Sequence, residues 1–498
     1  MNNIMFQGTA STVGKSILTA ALCRILNDDG ISVAPFKSQN MALNSFVTED
    51  GKEMGRAQVV QAEAARIKPT VEMNPILLKP TSDVGSQVIL NGKIFKNMCA
   101  KDYFSTKAGL KEHIVEAYNK LQSKYDVIVL EGAGSPAEIN LRENDIVNMG
   151  MAEMVDAPVI LIGDIDKGGV FASIYGTVML LEPEERKRIK GYIINKFRGD
   201  EKILQPGIDM FYEKLQIPCL GVIPFEPLKI DDEDSVTERF DRKTEGEIII
   251  GVLRLPYMSN FTDFTVFELE ENVSVRYIKE NEDYEGVDLL VIPGSKNTLK
   301  DMEYIHNSSL KAGIYRAHRN DIPIIGICGG YQMLGETITD EKGVETVMNS
   351  INGLGLLEIK TEMEEIKQTT QITGNIMLEI PFAKNSCNLK VNGYEIHMGK
   401  THLMGESTPL IKLQDDRLDG AINAKKNVFG TYLHGIFDND ELRKVILDNI
   451  RNKKGLDCNN NIDYAKLKDM EYDKLAKLVR QHMDVEKIKD IIYNNILP

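Results

Sequence analysis

A single cysteine between glycines is the first feature of this sequence that could do covalent chemistry. Cys328 lies in the segment 326–332, Gly-Ile-Cys-Gly-Gly-Tyr-Gln, directly after the apolar run 322–325. Glycines tolerate the crowding and unusual dihedrals of a sharp strand-to-helix turn, which pushes the intervening side chain out of the sheet. The thiol would then lie at a helix N-terminus, whose dipole favours the thiolate. The pattern predicts a nucleophile at Cys328.

A nucleophilic thiol needs a base, and two histidines have suitable positions. His434 ends an apolar run within 430–435, Gly-Thr-Tyr-Leu-His-Gly, whereas His397 lies within 393–399, Gly-Tyr-Glu-Ile-His-Met-Gly. A positioned base typically contributes about 10²- to 10⁴-fold in rate. We favour His434 as the base. His397 is the alternative, although its surroundings suit a structural or substrate-facing role as well.

The cysteine and histidine segments resemble those of class I glutamine amidotransferase domains, in which such a Cys and His release ammonia from glutamine. A further turn, 293–298, follows the apolar run 288–292 and carries Gly294. Its glycine lets backbone N–H groups approach a ligand, and an oxyanion donor is worth about 3 kcal/mol in comparable sites. We predict that Gly294 and Gln332 contact the substrate.

A glycine-rich loop near the N-terminus predicts a phosphate site. The apolar run 4–6 is followed by Gly8-Thr-Ala-Ser-Thr-Val-Gly14-Lys15-Ser16 and then by apolar residues at helical spacing. Backbone N–H groups at Gly8, Thr9 and Gly14 would bind phosphates, Lys15 would reach the terminal ones, and the Ser16 hydroxyl would ligate Mg²⁺. Five residues separate the two glycines, whereas the common Walker A motif has four. This longer loop resembles the dethiobiotin synthetase branch of P-loop proteins, so we predict ATP and Mg²⁺ as cofactors.

A second part of the ATP site is predicted at Glu131. The apolar run 127–130 delivers this glutamate at its carboxyl end, and Gly-Ala-Gly follows. A carboxylate at this position of a P-loop domain holds or orients Mg²⁺ beside the phosphates. We therefore predict that Ser16 and Glu131 form the metal site.

Polar clusters follow three more apolar runs, where parallel sheets bind ligands. Gln39 and Asn40 lie after the run 31–36, and Asp164 and Asp166 follow 158–162. We predict that these four residues face the substrate or the metal. Asn195 follows the run 192–194, and in P-loop relatives an Asn-Lys pair at such a strand end contacts the adenine.

Composition excludes several classes of function. The chain has 498 residues, 42% of them hydrophobic and 27% charged, with a formal net charge of −15. This acidic balance argues against a nucleic acid or an anionic membrane as the main partner. The six cysteines form no CxxC pair or metal-ligand spacing, which is typical of reduced thiols. No run approaches the roughly 18 apolar residues of a membrane span, so we expect a cytoplasmic protein.

Alternating strands and helices predict an α/β protein with two doubly wound domains. The expected division is a P-loop synthetase domain over 1–228, a solvated linker over 229–246, a glutamine amidotransferase-like domain over 247–440, and a helical extension over 441–498. Spacing within the extension, as at Leu475, Leu478 and Val479, predicts packing onto the rest of the protein. The oligomeric state is not predicted.

A P-loop domain fused to a glutaminase is similar to one family in particular, the cobyric acid synthases of cobalamin biosynthesis. The resemblance extends from residue 4 to about 437 and rests on seven blocks in the same order: 7–16, 37–41, 131–138, 164–171, 195–200, 326–332 and 393–399. It implies ATP- and glutamine-dependent amidation of the b, d, e and g carboxylates of adenosylcobyrinic acid a,c-diamide. Glutamine and a corrinoid acid would be the substrates.

One departure from related glutaminases concerns the group that orients the histidine. Many of them carry a glutamate two residues after it, where this chain has Ile436. We therefore expect a Cys–His dyad, with the imidazole held by backbone or by another group.

Two other functions remain as alternatives. The first is a related amidotransferase with another acid, such as a cobyrinic acid a,c-diamide synthase or a peptidoglycan-precursor amidotransferase, against which the block 37–41 argues. The second is a nucleotide-switch ATPase with an inactive glutaminase-like domain. Such partition ATPases usually carry an extra lysine early in the P-loop, which 8–13 lacks.

Overall fold

A computed structural model of the chain describes residues 2–81, 85–231, 240, 246–458 and 462–494. Two six-stranded sheets form the centres of two α/β domains, which confirms the predicted fold class. The first sheet is entirely parallel, and its strands lie in the order Cys219–Pro224, Ile189–Phe197, Val159–Asp164, Asn3–Gly8, Val127–Glu131 and Val33–Phe36.

Both faces of the first sheet are covered. Ile4 and Phe6 of the central strand belong to one apolar cluster, whereas Met5 between them belongs to another on the opposite face. Strands buried on both faces need nearly continuous apolar sequence, as this one has. The helices of this domain are Lys15–Asp28, Arg56–Ala64, Ala100–Gln122, Met149–Met154, Val170–Leu180, Pro183–Arg186 and Glu201–Leu215, with 3₁₀ turns at Val71–Met73 and Ile139–Asn144.

The second sheet is parallel except for one short edge strand. Its order is Val273–Ile278, Ile248–Leu253, Leu289–Ile292, Ile324–Ile327, Val428–Thr431 and Ala421–Ile422, the last being antiparallel. Its helices are Thr298–Asn307, Leu310–Arg319 and Gly329–Met333, with 3₁₀ turns at Phe261–Leu269, Asn281–Tyr284 and Ile436–Asp438.

A β-rich layer extends the second domain. Its main feature is a long antiparallel pair, Ile359–Ile376 with Lys390–Leu403, and shorter strands flank the pair at Thr337–Thr339, Ser350–Asn352, Ile411–Leu413 and Leu418–Asp419. The pair Met258–Ser259 and Gly294–Ser295 lies apart from this layer. Small sheets in the first domain comprise Gln39–Met41, Ile76–Pro80, Gly85–Leu90 and Lys93–Cys99, and the hairpin Ser45–Val47 with Glu53–Gly55.

The hairpin carries a buried charge cluster between the two domains. Glu53, 1% exposed, accepts hydrogen bonds from Lys79 at 3.0 Å and from Lys367 of the second domain. Burial alone would raise the pKa of Glu53, but the charges of Lys367 and Lys79 lower it to about 2. Burial also lowers the pKa of Lys367 to about 7, so the domains meet through an ionised carboxylate whose partner from the second domain is fully charged only below neutral pH.

The C-terminal helices divide between the two domains. Leu442 and Ile446 of the helix Asp440–Lys454 pack into the core of the second domain. The helices Tyr464–His482 and Val485–Asn494 return to the first domain, where they pack against Leu22 and other residues of its core. Leu475 and Val479 are buried there, as their spacing predicted, and Leu478 is partly exposed.

The expectation of a solvated linker needs correction at its start. The Asp231 carboxylate, 3% exposed, pairs with Arg56 at 2.8 Å. Ile230 and Phe240 are also buried. A carboxylate becomes buried when a cation compensates its charge, which local composition does not reveal. The other linker residues 232–239 and 241–245 lie outside the described residues, and the predicted domain limits stay predictions.

Two further expectations concern the chain as a whole. Within the described residues, the helices are too short or too polar to cross a bilayer. All six cysteines, each of them described, are free thiols. The cytoplasmic location stays a prediction.

We predict that Glu53→Gln destabilises the protein by about 3–5 kcal/mol, since it leaves two buried lysines without their counter-ion. Urea unfolding followed by circular dichroism measures the change. The control is Glu116→Gln, which breaks the exposed Glu116–Lys120 pair and should leave the unfolding midpoint unchanged. Equal midpoints for both variants would show that the buried cluster does not hold the domains together.

Candidate active site

The P-loop connects the strand Asn3–Gly8 to the helix Lys15–Asp28. Gly14 has φ +99°, and a Cβ there would lie 2.1 Å from Nδ2 of Asn195. The Asn195 amide donates to the Val13 carbonyl at 2.8 Å, so it holds the loop from the strand Ile189–Phe197, two strands away in the sheet. Its predicted contact with adenine stays a prediction.

Lys15 lies over the inner side of this loop. Its amine donates to the carbonyls of Ala10 at 2.9 Å and Ser11 at 3.0 Å, and to Gly134 at 3.1 Å. A Cβ at Gly8 would lie 2.8 Å from the backbone oxygen of Ala10 and 3.0 Å from the Lys15 amine, which explains the glycine. The Thr9 N–H, however, donates to the Ile162 carbonyl at 3.0 Å, so its predicted bond to a phosphate is not supported by this geometry. The loop and the Lys15 amine that it surrounds have the arrangement of a phosphate-binding loop.

The two residues predicted to hold the metal lie in contact. The Ser16 hydroxyl donates to Oε1 of Glu131 at 2.7 Å. Lys37 donates to the same oxygen at 2.8 Å, and Gln61 donates to Oε2. The described residues contain no cluster of three or more His, Cys, Asp or Glu side chains that could hold a metal. A hydroxyl and one carboxylate suit Mg²⁺, which takes its other ligands from phosphates and water.

Sequence reasoning did not assign roles to Lys37 and Gln61. Lys37 follows the strand Val33–Phe36, and its position at a strand end was the available signal. Gln61 lies in the helix Arg56–Ala64 and had no local signal.

The predicted substrate-facing residues of the first domain lie near this site but form separate contacts. Oε1 of Gln39 accepts from the Tyr103 hydroxyl at 2.6 Å, and Asn40 donates to Gln58 at 3.3 Å. Asp164 ends a strand of the same sheet edge and pairs with Lys196 at 2.9 Å. Asp166 pairs with Arg198 at 2.8 Å. Their substrate contacts stay predictions.

Cys328 occupies a strained turn between the strand Ile324–Ile327 and the short helix Gly329–Met333. Its φ of 52° and ψ of −106° are rare for a residue with a side chain, and such strain is concentrated at functional sites. A Cβ at Gly330 would lie 1.9 Å from the Ile292 carbonyl, so glycine is required there. The thiol donates to the Ile396 carbonyl at 3.7 Å.

His434, 1% exposed, lies between the thiol and a carboxylate. Its Nδ1 is 2.7 Å from Oδ2 of Asp263, and Cys328 is close enough to influence the charge of the same ring. Burial alone would lower the pKa of His434, but the charges of Asp263 and Cys328, with their hydrogen bonds, raise it to about 10. The arrangement stabilises an imidazolium beside Cys328.

The other group that we expected to hold the imidazole is Asp263, a carboxylate far away in the sequence. Asp263 orients His434, and its Oδ1 also accepts from the Gly435 N–H at 3.0 Å. This carboxylate comes from the 3₁₀ helix Phe261–Leu269, so the position two residues after His434 can hold the apolar Ile436. The acidic residue within the apolar run 261–267 was the only sequence signal.

His397 has a different environment. Its Nδ1 pairs with the Gly399 carbonyl at 2.8 Å, and its ring stacks on Tyr432 with centroids 3.6 Å apart. Burial lowers the pKa of His397 to about 4. These contacts favour His434 as the base.

Gly294 and Gln332 flank the cysteine and histidine. A Cβ at Gly294 would lie 3.1 Å from Cε1 of His434. Oε1 of Gln332 accepts from Thr298 at 3.0 Å, and its Nε2 donates to the Tyr432 hydroxyl at 3.1 Å. The structure thus brings together the four residues that were predicted in this domain.

Comparison with known proteins first defines the class. Residues 4–235 match the CobQ/CobB/MinD/ParA nucleotide binding domain family, and residues 249–442 match the CobB/CobQ-like glutamine amidotransferase domain family. The chain therefore combines a nucleotide-binding domain with a glutamine-hydrolysing domain, the composition of an amidoligase.

Full-length relatives then give the family. A cobyric acid synthase of Alkaliphilus metalliredigens is 54% identical over 98% of this chain and 99% of its own length. One of Clostridium botulinum is 52% identical over 99% of both chains, and one of Clostridium acetobutylicum is 51% identical over 99% of both. The chain belongs to the cobyric acid synthase family.

Among solved structures, PurLQS from Thermotoga maritima matches 40% of this chain and 98% of its own, with 17% identity and a TM-score of 0.33. That likeness is too weak to carry an inference.

We predict that Asp263→Asn lowers the pKa of His434 from about 10, since Asp263 supplies much of the charge that stabilises the imidazolium. NMR of protein labelled in its histidine rings follows the titration, and His434→Gln identifies the signal. His397 is the internal reference and should stay neutral above pH 6 in both proteins. A His434 ring that is already neutral at pH 8 in the unaltered protein would contradict this electrostatic account.

Proposed function

We propose that this chain amidates the b, d, e and g carboxylates of adenosylcobyrinic acid a,c-diamide, with ATP and glutamine as co-substrates. The observation that supports the proposal is that two groups of side chains suited to these reactions lie in one chain. Lys15, Ser16 and Glu131 lie together in the first domain, and Cys328, His434 and Asp263 lie together in the second. The corrinoid substrate follows from the cobyric acid synthase relatives.

The first domain makes the carboxylate reactive. A carboxylate oxygen attacks the γ-phosphorus of ATP, ADP leaves, and an acyl phosphate forms. Lys15 neutralises charge on the transferring phosphoryl group, and backbone N–H groups of the P-loop hold the phosphates. Mg²⁺, when held by Ser16 and Glu131, supplies further neutralisation. Ammonia then attacks the acyl carbon, and phosphate leaves to give the amide.

The second domain supplies the ammonia. The Cys328 thiolate attacks the side-chain amide carbon of glutamine, and His434 gives its proton to the departing nitrogen. Backbone N–H groups near Gly294 stabilise the oxyanion. Departure of ammonia leaves a glutamyl thioester on Cys328. His434 then takes a proton from a water molecule, and this water hydrolyses the thioester to glutamate. Asp263 keeps the imidazole oriented during both steps, as a carboxylate does in related triads.

We predict that Cys328→Ala loses glutamine-driven amidation to below about 10⁻³ of the normal rate but keeps activity with ammonium salts. Lys15→Ala should lose both activities, because neither nitrogen source replaces the phosphorylation step. Mass spectrometry of the corrinoid product measures both rates.

Matched controls are available for each substitution. Cys387→Ala removes an exposed thiol, and Lys187→Ala removes an amine with a 70% exposed side chain. Both should behave as the unaltered protein. Normal use of glutamine by Cys328→Ala would show that another residue is the nucleophile. A product in which a different acid is amidated would favour the related amidotransferase, and steady ATP turnover without any corrinoid acid would favour the nucleotide switch.

A further inference from the structure

Asn260 of the second domain is bound to the backbone of the first. It is 1% exposed and adopts the left-handed conformation, with φ 53°. Its Oδ1 accepts from the Ser45 N–H at 3.3 Å, and its Nδ2 donates to the Ser45 carbonyl at 3.0 Å. The same Nδ2 donates to the Tyr394 hydroxyl at 3.0 Å. One side chain thus uses all its hydrogen-bonding atoms in this contact.

A second asparagine makes the reciprocal contact. Oδ1 of Asn44, fully buried, accepts from the Phe261 N–H at 3.1 Å. The Tyr394 hydroxyl also donates to the Ser45 carbonyl at 3.2 Å. Residues 44 and 45 of the first domain therefore hold residues 260 and 261 of the second, and we call these four residues the asparagine clamp.

The clamp lies beside the groups that orient the proposed base. Asn260 caps the 3₁₀ helix that carries Asp263, and its carbonyl accepts from the Asp263 N–H at 3.0 Å. Tyr394 stacks on the His434 ring with centroids 5.4 Å apart, and the two backbones exchange hydrogen bonds of 3.2 and 2.9 Å. Both supports of His434 thus connect to the clamp.

Residues 44 and 45 of the clamp are close in sequence to the nucleotide site of the first domain. Asn44 follows the strand Gln39–Met41 by three residues, and this segment begins next to Lys37, which pairs with Glu131. Lys79 donates to the Ser45 hydroxyl at 2.9 Å, and the Arg56 N–H donates to the Asn44 carbonyl at 3.2 Å. The first domain therefore presents residues 44 and 45 on fixed elements.

We propose that Asn44 and Asn260 are positioning residues for glutamine hydrolysis: the first domain, through the asparagine clamp, holds Asp263 and Tyr394 where they orient His434. The proposal rests on the proposed role of His434 in the glutaminase. Neither asparagine contacts Cys328 or His434 directly among the contacts described, so both act through their neighbours. The glutaminase is complete only when the first domain is docked on it.

The test uses Asn260→Gly in the full chain, since glycine keeps the left-handed backbone and deletes only the side chain. We expect kcat for glutamine hydrolysis to fall about 10- to 100-fold with little change in KM for glutamine, because misplacement of about 1 Å has effects of this size. Amidation driven by ammonium should stay normal. The pKa of His434, read by NMR, should fall because Asp263 is no longer held against it.

The matched control is Asn272→Gly, which changes an exposed left-handed asparagine, φ 60°, in the same domain. It should leave every readout unchanged. Asn44→Ala should resemble Asn260→Gly, and the double variant should lose less than the product of the two losses, since both act on one contact.

Three results would overturn the proposal: equal glutamine-driven rates for Asn260→Gly and Asn272→Gly, a parallel loss of ammonium-driven amidation, or a normal His434 pKa in Asn260→Gly. Failure of the proposed function is a separate result, because it would appear as glutamine use by Cys328→Ala whatever the asparagine variants do.

Discussion

Parallel strand pairing is the constraint on which both sites depend. In the first sheet, Phe6 lies opposite Glu131 and Asp164 lies opposite Asn195, so loops far apart in sequence start from one edge. In the second sheet, Gly326 lies opposite both Ile292 and Gly430. The segments that carry Gly294, Cys328 and His434 therefore leave the sheet side by side. A parallel sheet can do this because all its strands end at the same edge.

The same constraint explains which parts of the sites could be predicted from the sequence. Cys328, His434, Lys15, Ser16 and Glu131 all lie at or just beyond strand ends, and each has glycines or apolar runs beside it. Local pattern and parallel pairing together were enough to group them. The two-domain α/β fold followed from the same alternation of strands and helices.

The residues that were missed reach the sites from elements with no such signal. This holds for Asp263, whereas the missed Lys37 does follow a strand end. Asp263 is 171 residues from His434 and lies in a 3₁₀ helix with a largely apolar sequence, where a carboxylate has no local role. The sequence around Asp231 is typical of a solvated acidic segment. Its partner, Arg56, is 175 residues away and is identified only by the structure. Both are buried carboxylates whose partners are set by tertiary packing. Periodicity describes which face of an element is buried, but it does not identify the partner of a buried charge.

Polar contacts between the domains favour one arrangement over others more than they add stability. Glu53 and its two lysines form buried ion pairs whose desolvation offsets much of their attraction. An apolar interface of similar shape would be as stable, yet it would allow the two domains to slide past each other. Hydrogen bonds with fixed directions do not tolerate it, because a displaced partner leaves a buried polar group unpaired.

This fixed arrangement suits a protein whose two reactions share one labile product. In the proposed reaction, ammonia released beside Cys328 would become ammonium in bulk water and would then no longer be a nucleophile, whereas an acyl phosphate would be lost to hydrolysis if ammonia did not arrive. Neither domain benefits from acting alone. The segment from Lys37 to the hairpin strand Glu53–Gly55 meets this requirement physically: one end contacts Glu131 and the other is buried against the glutaminase. Relative motion of the domains would break the polar bonds of Asn44, Ser45 and Glu53 to the second domain, so this segment fixes the position of one site relative to the other.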